Sequence, residues 1–144
     1  EQALGRSRGG FSTKIHAATI DENCAVALHV TAGQAHDGRQ FEALYESLPA
    51  DNVLEAASLD MGYDADRIRE RLALDGIEPV IPLLPTRCGK LPFDKERYRG
   101  RNRVERFFNK LKQFRRIATR YDKLHATFTA AVTLVAAFLI AKNS

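Results

Sequence analysis

The chain has 144 residues, 44% of them hydrophobic and 28% charged, with a net charge of +4 and two cysteines. That is too apolar for a disordered tail and long enough to bury one core, so a single soluble domain over 1–144 is expected. Cys24 and Cys88 stand far apart with no partner at metal-ligand spacing, which excludes a disulfide scaffold and a zinc finger and fits a reducing cytoplasm.

The N-terminal EQALGRSRGGFSTK holds no apolar stretch of signal-peptide length, and the sole methionine is Met61, so Glu1 reads as lying downstream of a translation start. Arg6, Arg8 and Lys14 with Gly9 and Gly10 suit either a flexible basic loop along a DNA backbone or a solvated terminus. Phe11 to Ile20 and Cys24 to Thr31 are β-prone runs joined by Asp-Glu-Asn, which predicts an antiparallel hairpin with His16 and His29 as structural residues within it. The loop AGQAHDG follows; His36 and Asp37 could face a site, but a loop residue and a helix N-cap are the plainer reading. Helical spacing covers Asp37 to Leu48, and Val53 to Leu59 reads as a buried strand ending on Asp60.

Asp64 to Leu74 reads as a helix whose early acids suit the N-terminal dipole and which ends at Gly76. Pro79 to Leu84 is a further short strand. Pro85, Gly89 and Pro92 mark a loop that also carries Arg87 and Lys90. From Asp94 no proline interrupts a helical pattern to about Ile117, and a final helix starts near His125. The apolar run Ala126 to Ala141, broken by Thr127, Thr129 and Thr133, is shorter than the roughly 20 residues that span a bilayer and reads as a buried helix. No membrane partner is expected. The order of elements predicts an α/β domain with a mixed sheet flanked by helices.

The charge is uneven. Arg97 to Lys123 holds eleven Lys or Arg against two acids, Glu105 and Asp122, a local +9 that leaves −5 for the rest. Such a patch points to a polyanion such as nucleic acid, against the alternative of an ordinary solvated helix face. Placed at about 100° per residue, this helix separates into three stripes. Val104, Phe107, Phe108, Leu111 and Phe114 form the core face. Arg99, Arg103, Arg106 and Lys110 form a basic stripe beside it, expected to meet solvent or phosphate. Tyr98, Arg101, Glu105 and Lys112 share a narrow arc on its other side. A lone acid among cations can be no more than a surface ion pair with Arg101 at i−4, which contributes only about a few tenths of a kcal/mol.

The spacing of Tyr98, Arg101, Glu105 and Lys112 resembles the Tyr-Arg-Glu-Lys signature of insertion-sequence DDE transposases and matches it at all four positions. LDMGYDAD resembles the second-carboxylate motif of that family, and GRSRGGFSTKIHA and TAGQAHDG are similar to stretches of its insertion-sequence-five branch. The resemblance covers nearly the whole chain. It implies a ribonuclease H-like fold in which three carboxylates hold two divalent ions, magnesium or else manganese. By it, Asp60 is the second carboxylate and Glu105 the third; Arg101 and Lys112 contact DNA near the cut end, and Tyr98 helps order the site. It further implies action on transposon ends and target DNA in a homo-oligomeric assembly.

The chemistry has its own logic. Two hard cations about 4 Å apart can activate a water or 3′-hydroxyl and neutralise a leaving oxygen at a phosphodiester. Magnesium favours oxygen ligands and few protein carboxylates. A strand-end Asp beside a helix-borne Glu suits that, with Arg as a fork and Lys as a point charge for phosphates. The first Asp of the family belongs on a first strand upstream of GRSRGG. Asp21 and Asp37 are present, but they read as a hairpin-turn residue and a helix cap. The expectation is therefore a catalytic domain lacking its first strand and inactive by itself, or else a DNA-binding remnant without metal chemistry.

Overall fold

The structure, a computed structural model, describes residues 5–7, 10–50, 54–87, 94–119 and 124–143. Cys88, Gly89, Lys90 and Pro92 of the expected loop, with Arg8, Gly9, Val53, Asp122 and Lys123, lie outside the described residues.

The predicted hairpin is present. Strands β2 (Gly10–Thr19) and β3 (Ala25–Ala32) pair antiparallel from Thr13↔Ala32 to Thr19↔Ala25, with an irregularity at Ala18/Thr19. Asp21 closes the turn as expected, its Oδ1 accepting from the amides of Asn23 at 2.7 Å and Cys24 at 2.9 Å, so the side chain replaces a missing backbone partner. The N-terminal segment departs from a loop: β1 (Gly5–Ser7) pairs antiparallel with the start of β2, Gly5 opposite Ser12. Helix α1 (Asp37–Glu46) follows, then β4 (Ala56–Ser58), a 3-10 turn (Met61–Tyr63), α2 (Asp66–Leu74) and β5 (Glu78–Val80). Gly76 adopts φ +73 just past α2, the left-handed conformation that relieves a helix end and that a side chain resists.

The expected single mixed sheet is not formed among the described residues. Strands β1, β2 and β3 make an antiparallel sheet, and β4 and β5 make a separate parallel pair. Pro79 is tolerated within β5 because the bonds from Glu78 N to Glu55 O and from Leu59 N to Val80 O put residues 78 and 80 on the paired side and 79 on the other.

The long basic helix is also divided, into α3 (Lys95–Arg99), α4 (Asn102–Lys112) and α5 (Arg115–Ala118). Around Gly100 the amides of Gly100, Arg101, Arg103 and Val104 each bond three residues back, so the turn tightens where glycine weakens helix propensity. A second break falls at Phe114, whose extended backbone caps α5.

Two hydrophobic clusters hold the fold. Phe107 and Leu111 of α4 and Phe128, Val132, Ala136 and Leu139 of α6 (His125–Asn143) pack on Val30 of β3. Phe41, Ile68, Leu72, Ile77 and Ile81 join α1 and α2 to β5. The last helix is not fully buried as expected: Leu134 and Phe138 are exposed while the opposite stripe is in the core. By length and composition α6 could cross a membrane, although Phe128, Val132, Ala136 and Leu139 are committed to the core.

Candidate active site at the mouth of a cleft

Between the two sheets lies a cleft of about 950 Å³. One wall is Ile15 to Ile20 of β2 and its turn; the other is Leu54 to Asp60 along β4. Phe41 and Leu44 of α1 line it too, as do Val104 and Phe108 of α4.

Asp60 stands where β4 ends, the position predicted for it. Its Oδ1 accepts from Gly62 N at 2.9 Å and so caps the 3-10 turn, which fixes the carboxylate at the cleft. Gly62 must be small: a Cβ there would sit 3.0 Å from Asp60 Oδ1 and 3.3 Å from Asp37 Oδ2. The two carboxylates therefore converge on one point. Tyr63 lies beside them, its hydroxyl raised well above the ordinary value by burial and by the charges of Asp37 and Asp60.

Asp37 departs from the expected helix cap. The cap position is His36, which makes no side-chain capping bond, and Asp37 is the first residue of α1. Its Oδ1 accepts from Lys14 Nζ at 3.1 Å and lies 3.5 Å from His16 Nδ1. His16 is nearly fully buried; its Nε2 lies 2.9 Å from Thr31 Oγ1 and its Nδ1 3.4 Å from the Tyr63 hydroxyl. Burial lowers the His16 pKa, and that effect prevails over the attraction of Asp37, so the ring is neutral near pH 7. From sequence, Asp37 could face a site but reads more plainly as a helix cap; the structure puts it beside Asp60. One available signal was the two-residue spacing of Lys14 and His16, which puts both on one face of β2 beneath the His-Asp loop.

Asp64 was expected to open α2. Instead it is a buried hub whose side chain has no exposed surface. Oδ1 accepts from Arg69 at 2.8 Å and Arg87 at 3.2 Å, while Oδ2 accepts from Leu84 N at 2.8 Å. Burial alone would raise its pKa, but the Leu84 amide and the two guanidinium groups outweigh it and hold the carboxyl below its ordinary range.

Across the cleft, Gly100, Arg101 and Arg103 contribute to the wall. Arg101 stacks over the Tyr98 ring at 5.2 Å and binds Glu105 Oε1 at 2.7 Å, so three signature residues touch in sequence across the α3–α4 junction. The Glu105 side chain is half exposed and lies one helical turn beyond Arg101, outside the residues that line the cleft. Lys112 is exposed at the end of α4 and Arg99 is exposed on α3. Among the described residues no group of three or more His, Cys, Asp or Glu is placed to hold a metal ion.

The basic stripe is partly engaged. Glu22, in the hairpin turn, binds Arg106 and Lys110 at 2.9 Å each, and Lys110 also reaches Asn23 Oδ1. Arg103 donates to the Ile20 carbonyl at 3.4 Å. These contacts clamp α4 to the hairpin and lower the Glu22 pKa from its ordinary value, first through the Arg106 hydrogen bond.

The cleft thus brings a strand-end carboxylate, Asp60, into one lining with Arg101 and Arg103. Residues 3–140 match the family described as the transposase DDE domain, and the chain belongs to that family. It is similar, at 33% identity over 130 residues, to a Brucella ovis protein assigned as a transposase for insertion sequence element IS6501; the match spans 90% of this chain and 98% of that protein. No solved structure matches it.

Proposed function

We propose that this chain carries the second and third carboxylates of a transposase site that cuts transposon ends and joins them to target DNA in the cytoplasm. The observation that carries the reading is that Asp60 and Arg101 line one cleft, with Arg101 in turn linked to Tyr98 and Glu105. Asp60 and Glu105 would hold divalent ions, magnesium or manganese and two in a complete site, and their oxygen donors fit such hard cations. When bound, the ions supply Lewis-acid activation of the attacking oxygen and neutralise the leaving one. Two carboxylates fall short of the three expected, so a ribonuclease H-like mixed sheet with one strand outstanding is part of the reading.

The protein residues then have separate tasks. Arg101, released from Glu105, would bind a phosphate as a fork, and Lys112 would add a point charge further along α4. Arg99 and Arg103 would follow the backbone, joined by Arg106 and Lys110 where phosphate displaces Glu22. Tyr98 would hold Arg101 in place through its ring. Assembly as a homo-oligomer on two DNA ends belongs to the same reading.

A second reading, a DNA-binding remnant without metal chemistry, draws on one observation: no three potential ligands converge among the described residues. Magnesium-dependent nicking of DNA bearing the element's ends separates the two. The comparison is between this chain and a form extended upstream through the next strand-borne Asp. Cleavage by the extended form, lost in Glu105→Gln with DNA binding kept, supports the catalytic reading. Unchanged cleavage in Glu105→Gln sinks the role of Glu105, and salt-sensitive binding without cleavage in either form supports the remnant.

A further inference from the structure

Helix α6 is apolar on both of its faces. Between His125 and Lys142 it carries no charged residue, and a helix that is hydrophobic all round belongs in an interior. One face has its interior: Phe128, Val132, Ala136 and Leu139 lie in the core. On the opposite side, at about 100° per residue, Thr127, Ala130, Leu134, Ala137 and Ala141 fall within an arc of about 80°. All five are exposed, and Leu134 keeps 72% of its surface. Their spacing of three, four, three and four residues is that of a coiled-coil seam, not of a solvated face. Phe138 borders the seam, half exposed, with its ring held edge-on to Phe114 at 6.1 Å. An anchor already held in place loses little freedom on docking.

The sizes along the seam select a second copy of the same helix. In an antiparallel pair with its two-fold axis at Leu134, residues equally far before and after Leu134 lie opposite one another. Ala130 then meets Phe138, and Thr127 meets Ala141. Phe138 enters a hole formed by Thr127, Ala130, Ala131 and Leu134 of the second copy, the i, i+3, i+4, i+7 set that receives a knob, and only one of the four is large. A parallel pair would instead stack Phe138 on Phe138 and Ala130 on Ala130, a crowded layer beside an empty one, with the two helix dipoles aligned against each other. The area agrees. The uncharged stretch is about 24 Å long and half the girth of a helix is roughly 18 Å, so each copy offers on the order of 450 Å². Two copies would bury about 900 Å², the size of a weak, reversible association and not of an obligate one. A lipid surface fits less well, because an interfacial helix sets a Lys- and Arg-rich face opposite its apolar one, where α6 has the protein core.

We propose that the exposed face of α6 is a self-association surface, on which two copies of this chain pair antiparallel, helix against helix, about a two-fold axis at Leu134. This rests on the preceding reading only for the expectation of a homo-oligomer; the surface, the polarity and the axis are additional, and the pairing needs neither DNA nor a metal ion. The side chains that make it, Leu134 and Phe138, lie outside the buried stripe of Phe128, Val132, Ala136 and Leu139, so they can be changed without emptying the core.

Sedimentation equilibrium tests this without DNA or any cleavage assay. The chain should show a reversible monomer–dimer equilibrium with a dissociation constant on the order of 10 µM. Leu134→Glu combined with Phe138→Glu should give a monomer of unchanged helix content by circular dichroism. Oxidative cross-linking in a Cys24→Ser, Cys88→Ser background reads the polarity. Leu134→Cys should link to its own copy. Ala130→Cys should not, because two such residues stand about 12 Å apart along the axis, but it should link to Phe138→Cys when the two proteins are mixed. A chain that stays monomeric at ten times the expected dissociation constant overturns the proposal. So does a dimer that survives the double Glu substitution, or an Ala130→Cys protein that links to itself. A monomer that floats with phosphatidylcholine–phosphatidylglycerol vesicles also overturns it and assigns the face to lipid. Pairing without DNA cutting would remove the catalytic reading alone, and cutting by a protein that fails these pairing tests would remove this proposal alone.

Discussion

The Asp64 hub supplies the sharpest stability prediction. Its carboxylate has no exposed surface, and it satisfies Arg69, Arg87 and the Leu84 amide at once. Asp64→Ala would take this acceptor from the mostly buried Arg69 guanidinium and from the partly buried Leu84 amide. Breaking a buried ion pair from one side costs about 3–5 kcal/mol, far more than the pair itself contributes over an apolar substitute. With a urea slope of about 2 kcal/mol per M, the unfolding midpoint should fall by roughly 2 M at unchanged slope. Asp64→Asn should lose less, because its oxygen can still accept from Leu84 while its amide group opposes the guanidinium donors. The pH dependence has a defined sign. Because the native carboxyl titrates below its ordinary value of 3.8, its stabilisation is complete above that value and is lost as pH falls through the lower native one. Urea titrations between pH 7 and pH 3 on the wild type and Asp64→Asn measure both effects. A midpoint shift below about 0.5 M in Asp64→Ala at pH 7 would refute the hub.

Other outcomes follow from the same contacts. Glu22→Gln should free Arg106 and Lys110, tightening non-specific DNA binding and steepening its salt dependence, as read by fluorescence anisotropy across a salt series. His16 is held neutral, so its contribution is complete above about 6.5, its ordinary value, and declines as pH falls through the lower native one; His16→Gln should flatten that part of the stability profile. Phe107→Ala, at a site with no exposed surface in the α4 core stripe, should cost about 3–5 kcal/mol in chemical denaturation. Gly62→Ala should disturb Asp60 and Asp37 together, which NMR would register as chemical-shift changes at both residues.

Much of the fold was legible because local rules were enough. The hairpin, its Asp21 turn, α1, the Gly76 helix end and the core stripe of α4 all follow from periodicity and turn chemistry, and each is present. The division of the basic helix was less visible, because a single Gly100 is a weak breaker whose effect depends on what the flanking turns dock against. The separation of the sheets was not legible at all, since pairing between distant strands leaves no local mark. The site was half legible. Asp60 at a strand end follows from hydrophobic patterning, and the contact of Tyr98, Arg101 and Glu105 follows from helical spacing. Asp37 was lost to a competing local explanation, because an acid at a helix start reads as a cap whether or not it faces a second carboxylate.

The motif LDMGYDAD shows why site and scaffold are hard to separate here. Asp60 reaches the cleft, Gly62 leaves room for two carboxylates, Tyr63 supports His16, and Asp64 ties the following loop to α2. These roles lie within five consecutive residues, so the 3-10 turn has little freedom to move one without the others. Its position is fixed from the scaffold side by Asp64, and from the hairpin side by Lys14 and His16 acting through Asp37. Substitutions that loosen either anchor should therefore displace Asp60 even when they lie outside the cleft. A functional assay on such a variant needs a stability measurement beside it before the loss is assigned to chemistry.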